Sequence, residues 1–258
     1  MEYTIKVFVY TFGLLIGMLL LLACGAWLRR RQIKQGQEDV SGIGSMESAV
    51  FALFGLLVAF TFSGAATRLD DKRKLIIEEA NAIGTSYLRL DLLPVRDQPP
   101  LRENFRNYLD ARLSAYKKLD DPAAANGEFA RANLLQGEIW RRGVAASRAP
   151  DAHPDAARLL LPALNQMIDI TTTRTMAMEL HPPRVVFVML FGFALVSSLL
   201  AGYAMGGNSR QRLLHKLCFA LVVAAAVFVI LDLEYPRYGW IRIDTFDRVL
   251  LELRASMK

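Results

Sequence analysis

The sequence predicts an all-α membrane protein in which four spanning helices form two hairpins on either side of an extramembrane helical domain. Three observations support this fold class. Four apolar blocks are each long enough to cross a bilayer, which takes about 20 residues per helix. A polar segment with helical periodicity separates the second block from the third. The alternating pattern that is typical of β-strands does not occur.

The four apolar blocks run over residues 4–28, 48–67, 185–205 and 213–233. None of them carries an Asp, Glu, Lys or Arg near its centre, and a buried soluble helix is a poor explanation for four such blocks. The first block is longer than the apolar core of a signal peptide, and RRRQIKQGQ after it offers no small-residue cleavage site. We therefore expect a retained first span and a multi-pass protein.

Composition excludes several functional classes. The formal net charge of +6 is spread over loops and tails without a basic stripe of interleaved aromatics, so it favours anionic lipid headgroups over nucleic acid. The two cysteines, Cys24 and Cys218, lie inside spans, which excludes a disulfide framework, and no Cys/His spacing resembles a zinc site. No phosphate loop, nucleophile elbow or metal-binding helix is present. The sequence supports no catalytic, metal or cofactor site.

The polar segment is predicted to form four helices, over 66–93, 100–119, 122–147 and 154–181. The first of them continues the second span, because no Gly-Pro or polar cluster interrupts SGAATRLDDKRK. One helix over 47–93 would be about 70 Å long at 1.5 Å per residue.

These spans and helices give four predicted domains: a first transmembrane hairpin (1–67), an extramembrane helical domain (68–184), a second transmembrane hairpin (185–234) and a C-terminal amphipathic tail (235–258).

The second span carries a stripe of small residues at intervals of three or four. Such a stripe permits close packing between membrane helices. It is equally typical of a helix repeated around a central pore, where bulky residues would collide. Both interpretations stay open. The stripe consists of Ser48, Ala52, Gly55, Ala59, Ser63 and Ala66.

Two acids, Asp232 and Glu234, end the fourth span in LDLEYPRYG. Acids at a membrane boundary are costly unless they are solvated or paired. They fit either a position among lipid headgroups beside an aromatic belt or a structural clasp against a neighbouring helix.

The stretch LIIEEANAIGTSYLRLDLLP is unusual for a surface helix, because it holds Glu78, Glu79, Asn81 and Gly84 within a helical pattern. Lys74 lies four residues before Glu78, a spacing that suits a helical salt bridge. Adjacent residues on a helix diverge by about 100°, so the two acids cannot act on one ligand.

Three segments resemble the bestrophin-type membrane proteins. VAFTFSGAATRLDDKRKLI matches the end of their second span, and LDLEYPRYG matches an acidic-Pro-x-Gly element after their fourth. EEANAIGTSYLRLDLLP resembles more specifically a bacterial family called bestrophin-like. The calcium-binding acidic cluster of animal bestrophins is absent, so calcium gating is not implied.

The resemblance implies a pentameric, anion-selective channel of the bacterial inner membrane, with permeant ions and the bilayer as its partners. Its hydrophobic neck would fall at Ala52, Leu56 and Phe60, and the small stripe adds Ser63 as a pore candidate. The alternative is a non-conducting scaffold or sensor whose helical domain binds another protein. Residues expected to serve assembly or structure are Arg68, Arg73, Lys74, Glu78, Asn81, Gly84, Arg89, Asp232 and Glu234.

Membrane orientation is not decided by the sequence. Lys and Arg in the short loops favour a cytoplasmic location for 29–34 and 210–216, whereas the resemblance places the helical domain in the cytoplasm. We expect the orientation of the resembling family.

Overall fold

The computed structural model describes residues 2–36, 43–206 and 211–257. These residues form α-helices and two short 3₁₀ helices, Arg89–Leu92 and Asp244–Asp247, and no strand occurs among them. The all-α fold class is confirmed. The α-helices are α1 (Glu2–Lys34), α2 (Ile43–Leu88), α3 (Gln98–Lys117), α4 (Pro122–Ser147), α5 (Ala156–Glu179), α6 (Arg184–Ala204), α7 (Gln211–Glu234) and α8 (Arg248–Ser256).

The four predicted spans lie in α1, α2, α6 and α7, each of which belongs to a helical stretch long and apolar enough to cross a membrane. The predicted continuation of the second span is also confirmed. Helix α2 runs for 46 residues without a break, and the 3₁₀ helix at Arg89–Leu92 follows it directly.

The chain divides into two compact units. The membrane unit comprises Met1–Leu69 and His181–Arg242, and the helical unit comprises Asp70–Leu180 and Ile243–Lys258. Helix α2 contributes to both. The four predicted domain limits stay a prediction.

Helices α1 and α6 of the membrane unit approach so closely that their backbones touch. A Cβ atom at Gly202 would lie 2.2 Å from the carbonyl oxygen of Leu22, and one at Gly25 would lie 2.1 Å from that of Leu199. Small residues permit such crossings in membranes, where packing drives helix association. The glycine pair therefore fixes how α1 and α6 cross.

The helical unit is built around the α3–α4 hairpin. Its interior is filled by fully buried side chains, among them Phe105 and Tyr108 of α3 and Ile139 of α4. Helix α4 begins at Pro122, and the Asp121 carboxylate accepts hydrogen bonds from the backbone N–H groups of Ala123 and Ala124 at 3.1 Å. This N-cap and the proline at the first helical position set where α4 starts.

We predict that Gly202→Ala destabilises the membrane unit by about 1–3 kcal/mol, because the added methyl overpacks a backbone contact. Thermal unfolding in mild detergent measures the effect. The matched control is Gly192→Ala on the same helix, where a Cβ meets nothing within 4 Å. Equal unfolding temperatures for the two variants would contradict the close crossing.

Candidate functional site

One face of α2 is exposed in the part of the chain that the structure describes. Ala52, Leu56, Phe60 and Ser63 are all exposed, with 51% of Leu56 and 68% of Phe60 accessible. At 3.6 residues per turn these four positions fall within an arc of about 80°. The structure therefore brings the four predicted pore positions onto one exposed face, which we call the open face of α2. Whether that face lines a pore stays a prediction.

The opposite face of α2 packs within the membrane unit. Phe54 and Ala65 are buried there, and the ring of Phe51 meets that of Phe219 on α7 edge-on at 6.0 Å. Phe60 lies at the border between the two faces, since it also edges a groove of about 380 Å³ beside α6 and α7. Ala52, Leu56 and Ser63 therefore lie in the middle of the open face.

An ion pair anchors the last membrane turns of α2 to the end of α7. Arg68 donates from Nε to both carboxylate oxygens of Glu234 at 3.1 Å, and its Nη2 makes a further bond to the same group. The Glu234 side chain is completely buried, whereas Arg68 keeps 26% of its surface. His181 lies beside the pair, with Nδ1 3.7 Å from Glu234 Oε2. A buried carboxylate needs such partners to remain charged.

The second acid of this motif, Asp232, holds the loop that follows α7. Its carboxylate accepts the backbone N–H of Trp240 at 2.9 Å and that of Ile241 at 2.7 Å. A Cβ at Gly239 would lie 2.2 Å from Asp232 Oδ1, so only glycine fits there. Asp232 and Glu234 therefore both point into the protein and are paired within the membrane unit.

An ionic cluster of three buried residues and the partly exposed Asp247 joins elements of the helical unit. Glu79 of α2 is fully buried between Arg112 of α3 and Arg174 of α5. Arg112 Nε donates to Glu79 at 2.8 Å, and Arg174 Nη2 lies 3.3 Å from Asp247, beyond α5 in the C-terminal segment. Two acids and two guanidinium groups balance in charge, so each buried ion has an opposite partner.

Aromatic rings complete this ionic cluster. The guanidinium of Arg174 stacks over the ring of Tyr116 at 3.9 Å, and Arg112 donates to the Tyr116 hydroxyl at 2.6 Å. Desolvation alone would lower the pKa of Arg112, but the adjacent Tyr116 and Glu79 raise it above its ordinary value. Burial raises the pKa of Tyr108 in the same region. Arg112 therefore stays charged and Tyr108 stays neutral.

The remaining predicted assembly residues lie apart from this cluster. Arg73 stacks over Phe246 at 5.2 Å, and Arg89 donates to the carbonyl of Leu159. A Cβ at Gly84 would meet Leu253 at 3.3 Å, so α2 passes close to α8. Glu78 and Asn81 are exposed.

One sequence-based interpretation is wrong. Lys74 pairs with Asp71, at 3.2 Å and one turn earlier, and does not form the expected bridge to Glu78. Glu79, which the sequence analysis does not place among the assembly residues, is the acid of this stretch that is fully buried. Its position between Ile76 and Ile83, both fully buried, could have placed it on the core side of the helix.

We predict that Glu79→Gln destabilises the helical unit by about 3–5 kcal/mol, because it leaves two buried guanidinium groups without their shared anion. Chemical denaturation followed by circular dichroism measures the loss. Glu103→Gln on α3 is the matched control, since the pair of Glu103 with Arg106 is exposed and such pairs contribute little. A Glu79→Gln variant as stable as the control would show that the cluster is not a structural requirement.

Comparison with known proteins identifies this arrangement. A family model described as the Bestrophin-like domain matches residues 14–245. No curated protein sequence matches the chain at a significant level.

Solved structures of a bacterial bestrophin homolog from Klebsiella pneumoniae share the fold. A tryptophan-to-alanine variant superposes with a TM-score of 0.73 at 14% identity, covering 95% of this chain and 98% of that one. An aspartate-to-alanine variant superposes with a TM-score of 0.72 at 12% identity, covering 95% and 100%. Since the family model spans most of the chain, and the apolar helices match a membrane fold, this multi-pass membrane protein belongs to the bestrophin-like family.

Proposed function

We propose that the chain forms a homo-oligomeric ion channel, a pentamer, in which the open face of α2 lines a central pore. The observation that carries the proposal is the exposure of that face along a helix whose other side is packed. An apolar helix face must be covered by lipid, by another protein surface or by its own copies around an axis.

The side chains of the open face favour an axis over lipid. Within its arc of about 80° it combines small and hydroxyl-bearing residues with two large apolar ones, Leu56 and Phe60. Leu53 and Phe62, which are also exposed, flank this arc. Thr67 continues the face one turn after Ser63, and its hydroxyl bonds back to the Ser63 carbonyl at 2.9 Å. Small residues permit close approach of helix copies, and hydroxyl groups are compatible with a water-filled lumen.

The neck of the proposed channel consists of Ala52, Leu56 and Phe60, one per helical turn. A ring of apolar side chains gates ions by excluding water, so its width and polarity set passage. Ala52 adds little bulk, and the constriction rests on Leu56 and Phe60. Anion selectivity and a location in the bacterial inner membrane are part of the proposal through family membership.

The helical unit offers polar groups for contacts between copies. Glu78 and Asn81 are exposed on α2 within one chain, whereas Glu79 on the same turn is buried in the protomer core. We therefore assign Glu78 and Asn81 to contacts between copies and Glu79 to the fold of the protomer.

We predict that Glu78→Ala shifts the detergent-extracted protein toward smaller species, since it removes a polar contact between copies. The shift is measured by light scattering after size exclusion. Asp169→Ala, an exposed acid on α5, serves as the control. An unchanged oligomer of unchanged thermal stability would mean that Glu78 is a solvated surface acid.

We predict that Leu56→Ala and Phe60→Ala each raise ion flux through proteoliposomes, because either substitution widens the apolar ring. The control is Phe62→Ala: Phe62 is also exposed, at 46%, but its position is about 160° around the helix from Phe60. Flux raised by Phe62→Ala and not by Phe60→Ala would contradict the open face as the pore lining and would place the axis on the side of α2 that bears Phe62.

Thiol labelling tests the same assignment independently. Cys24 and Cys218 are exposed, so the background first replaces both with alanine. A cysteine introduced by Phe60→Cys should react with a water-soluble thiol reagent, and the modification should block flux. An inert cysteine, together with flux at background in Leu56→Ala and Phe60→Ala, would contradict the neck and favour a non-conducting scaffold.

A further inference from the structure

A groove of about 970 Å³ opens on the membrane unit between α1, α6 and the end of α7. Its walls are apolar and include Val7 of α1, Phe191 of α6 and Leu231 of α7. Its volume lies at the upper end of the range for ligand pockets, about 300–1,000 Å³. Apolar walls of this kind favour binding of an extended hydrocarbon chain.

Two cationic side chains stand at one end of this groove. Lys6 of α1 and Arg184, the first residue of α6, both line it and both are exposed. Two tyrosines, Tyr10 and Tyr235, lie beside them. None of the described residues that line the groove is acidic.

The nearby acids are engaged elsewhere in the membrane unit. Glu234 is buried against Arg68, and Asp232 accepts the backbone N–H groups of Trp240 and Ile241. The two acids of α7 are therefore paired with residues that do not line the groove.

The position of Lys6 is fixed by its neighbours on α1. The Thr4 hydroxyl donates to the carbonyl of Tyr238 at 2.7 Å, and the ring of Phe8 packs against Phe228 and Trp240 with centroids 5.3 and 5.5 Å away. The turn that bears Lys6 is thus held against the loop after α7.

We propose that this groove binds an anionic phospholipid, with the phosphate at Lys6 and Arg184 and an acyl chain along Phe191 and Leu231. Charge complementarity selects the headgroup, since basic pockets between membrane helices bind anionic headgroups. The apolar wall lies in a membrane-spanning unit, so an acyl chain reaches it directly from the bilayer. This site is separate from the open face of α2 and does not depend on ion conduction.

A second basic groove, at the other end of α1, provides an internal comparison. It is lined by Trp27 and Arg30 of α1 and Lys216 of α7, but its volume is only about 280 Å³. That volume is below the usual range for ligand pockets, and Arg30 already donates to the carbonyl of Gly206 at 3.2 Å. Both grooves therefore have basic side chains in their lining, but only the larger one has the volume to hold an acyl chain.

The test compares phosphatidylglycerol with phosphatidylcholine of the same acyl chains, each added at equal concentration to the full-length protein in mild detergent. Native mass spectrometry counts the lipids that stay bound. We expect phosphatidylglycerol to be retained in preference to phosphatidylcholine. Lys6→Gln and Arg184→Gln should each weaken the binding of phosphatidylglycerol roughly fivefold. This is the contribution to affinity that one basic side chain makes near an anionic headgroup. Lys216→Gln, in the smaller groove, should leave the preference unchanged.

A variant that fills the groove tests separately whether the acyl chain binds there. Gly192 lines the groove, and a Cβ there meets nothing within 4 Å, so Gly192→Leu adds a side chain without overpacking the helices. It should reduce the retention of both lipids, whereas Ala225→Leu, at an exposed position of α7 outside the groove, should not. Equal retention of the two lipids by the unmodified protein would overturn the proposal. It would also be overturned if phosphatidylglycerol binding were unchanged in Gly192→Leu, in Lys6→Gln and in Arg184→Gln.

Discussion

A helix that packs on one side only is the constraint on which the rest of this structure depends. Helix α2 contributes to both compact units, and its packed side is held by specific polar contacts at two levels. Arg68 and Glu234 pair in the membrane unit, and Glu79 meets Arg112 and Arg174 in the helical unit. Each is a charged group that would be costly to bury alone. These contacts fix which face of α2 turns inward and, as a consequence, which face stays open.

The two acids at Glu78 and Glu79 show how closely the helix phase controls this division. They differ by about 100° around α2, and one is fully buried while the other is exposed. The buried acid joins helices that are distant in sequence, with Arg112 on α3 and Arg174 on α5. The same ion pairs reach the C-terminal segment through Asp247. Glu79 therefore joins the helices of the helical unit, although the sequence alone does not distinguish it from Glu78.

Much of the fold could be predicted from the sequence, because membrane spans and helix continuity depend on local composition. The four apolar blocks and the uninterrupted course from the second span to Leu88 needed only the count of apolar residues and the absence of breakers. The contacts that join distant segments could not be predicted in this way. The crossing at Gly25 and Gly202 requires knowing that α1 lies against α6. The bond from Lys74 to Asp71 depends on a choice among three acids that lie three or four residues away. The pore positions share one exposed face, but a single chain contains no axis against which to place them.

In the proposed channel, copies of this chain enclose an axis with the open face of α2. The most direct measurement is the mass of the intact complex, by native mass spectrometry after gentle extraction from the membrane. We expect a single closed oligomer of five copies. A monomer or a dimer as the only species would contradict it, because neither can surround a pore with one helix face from each chain.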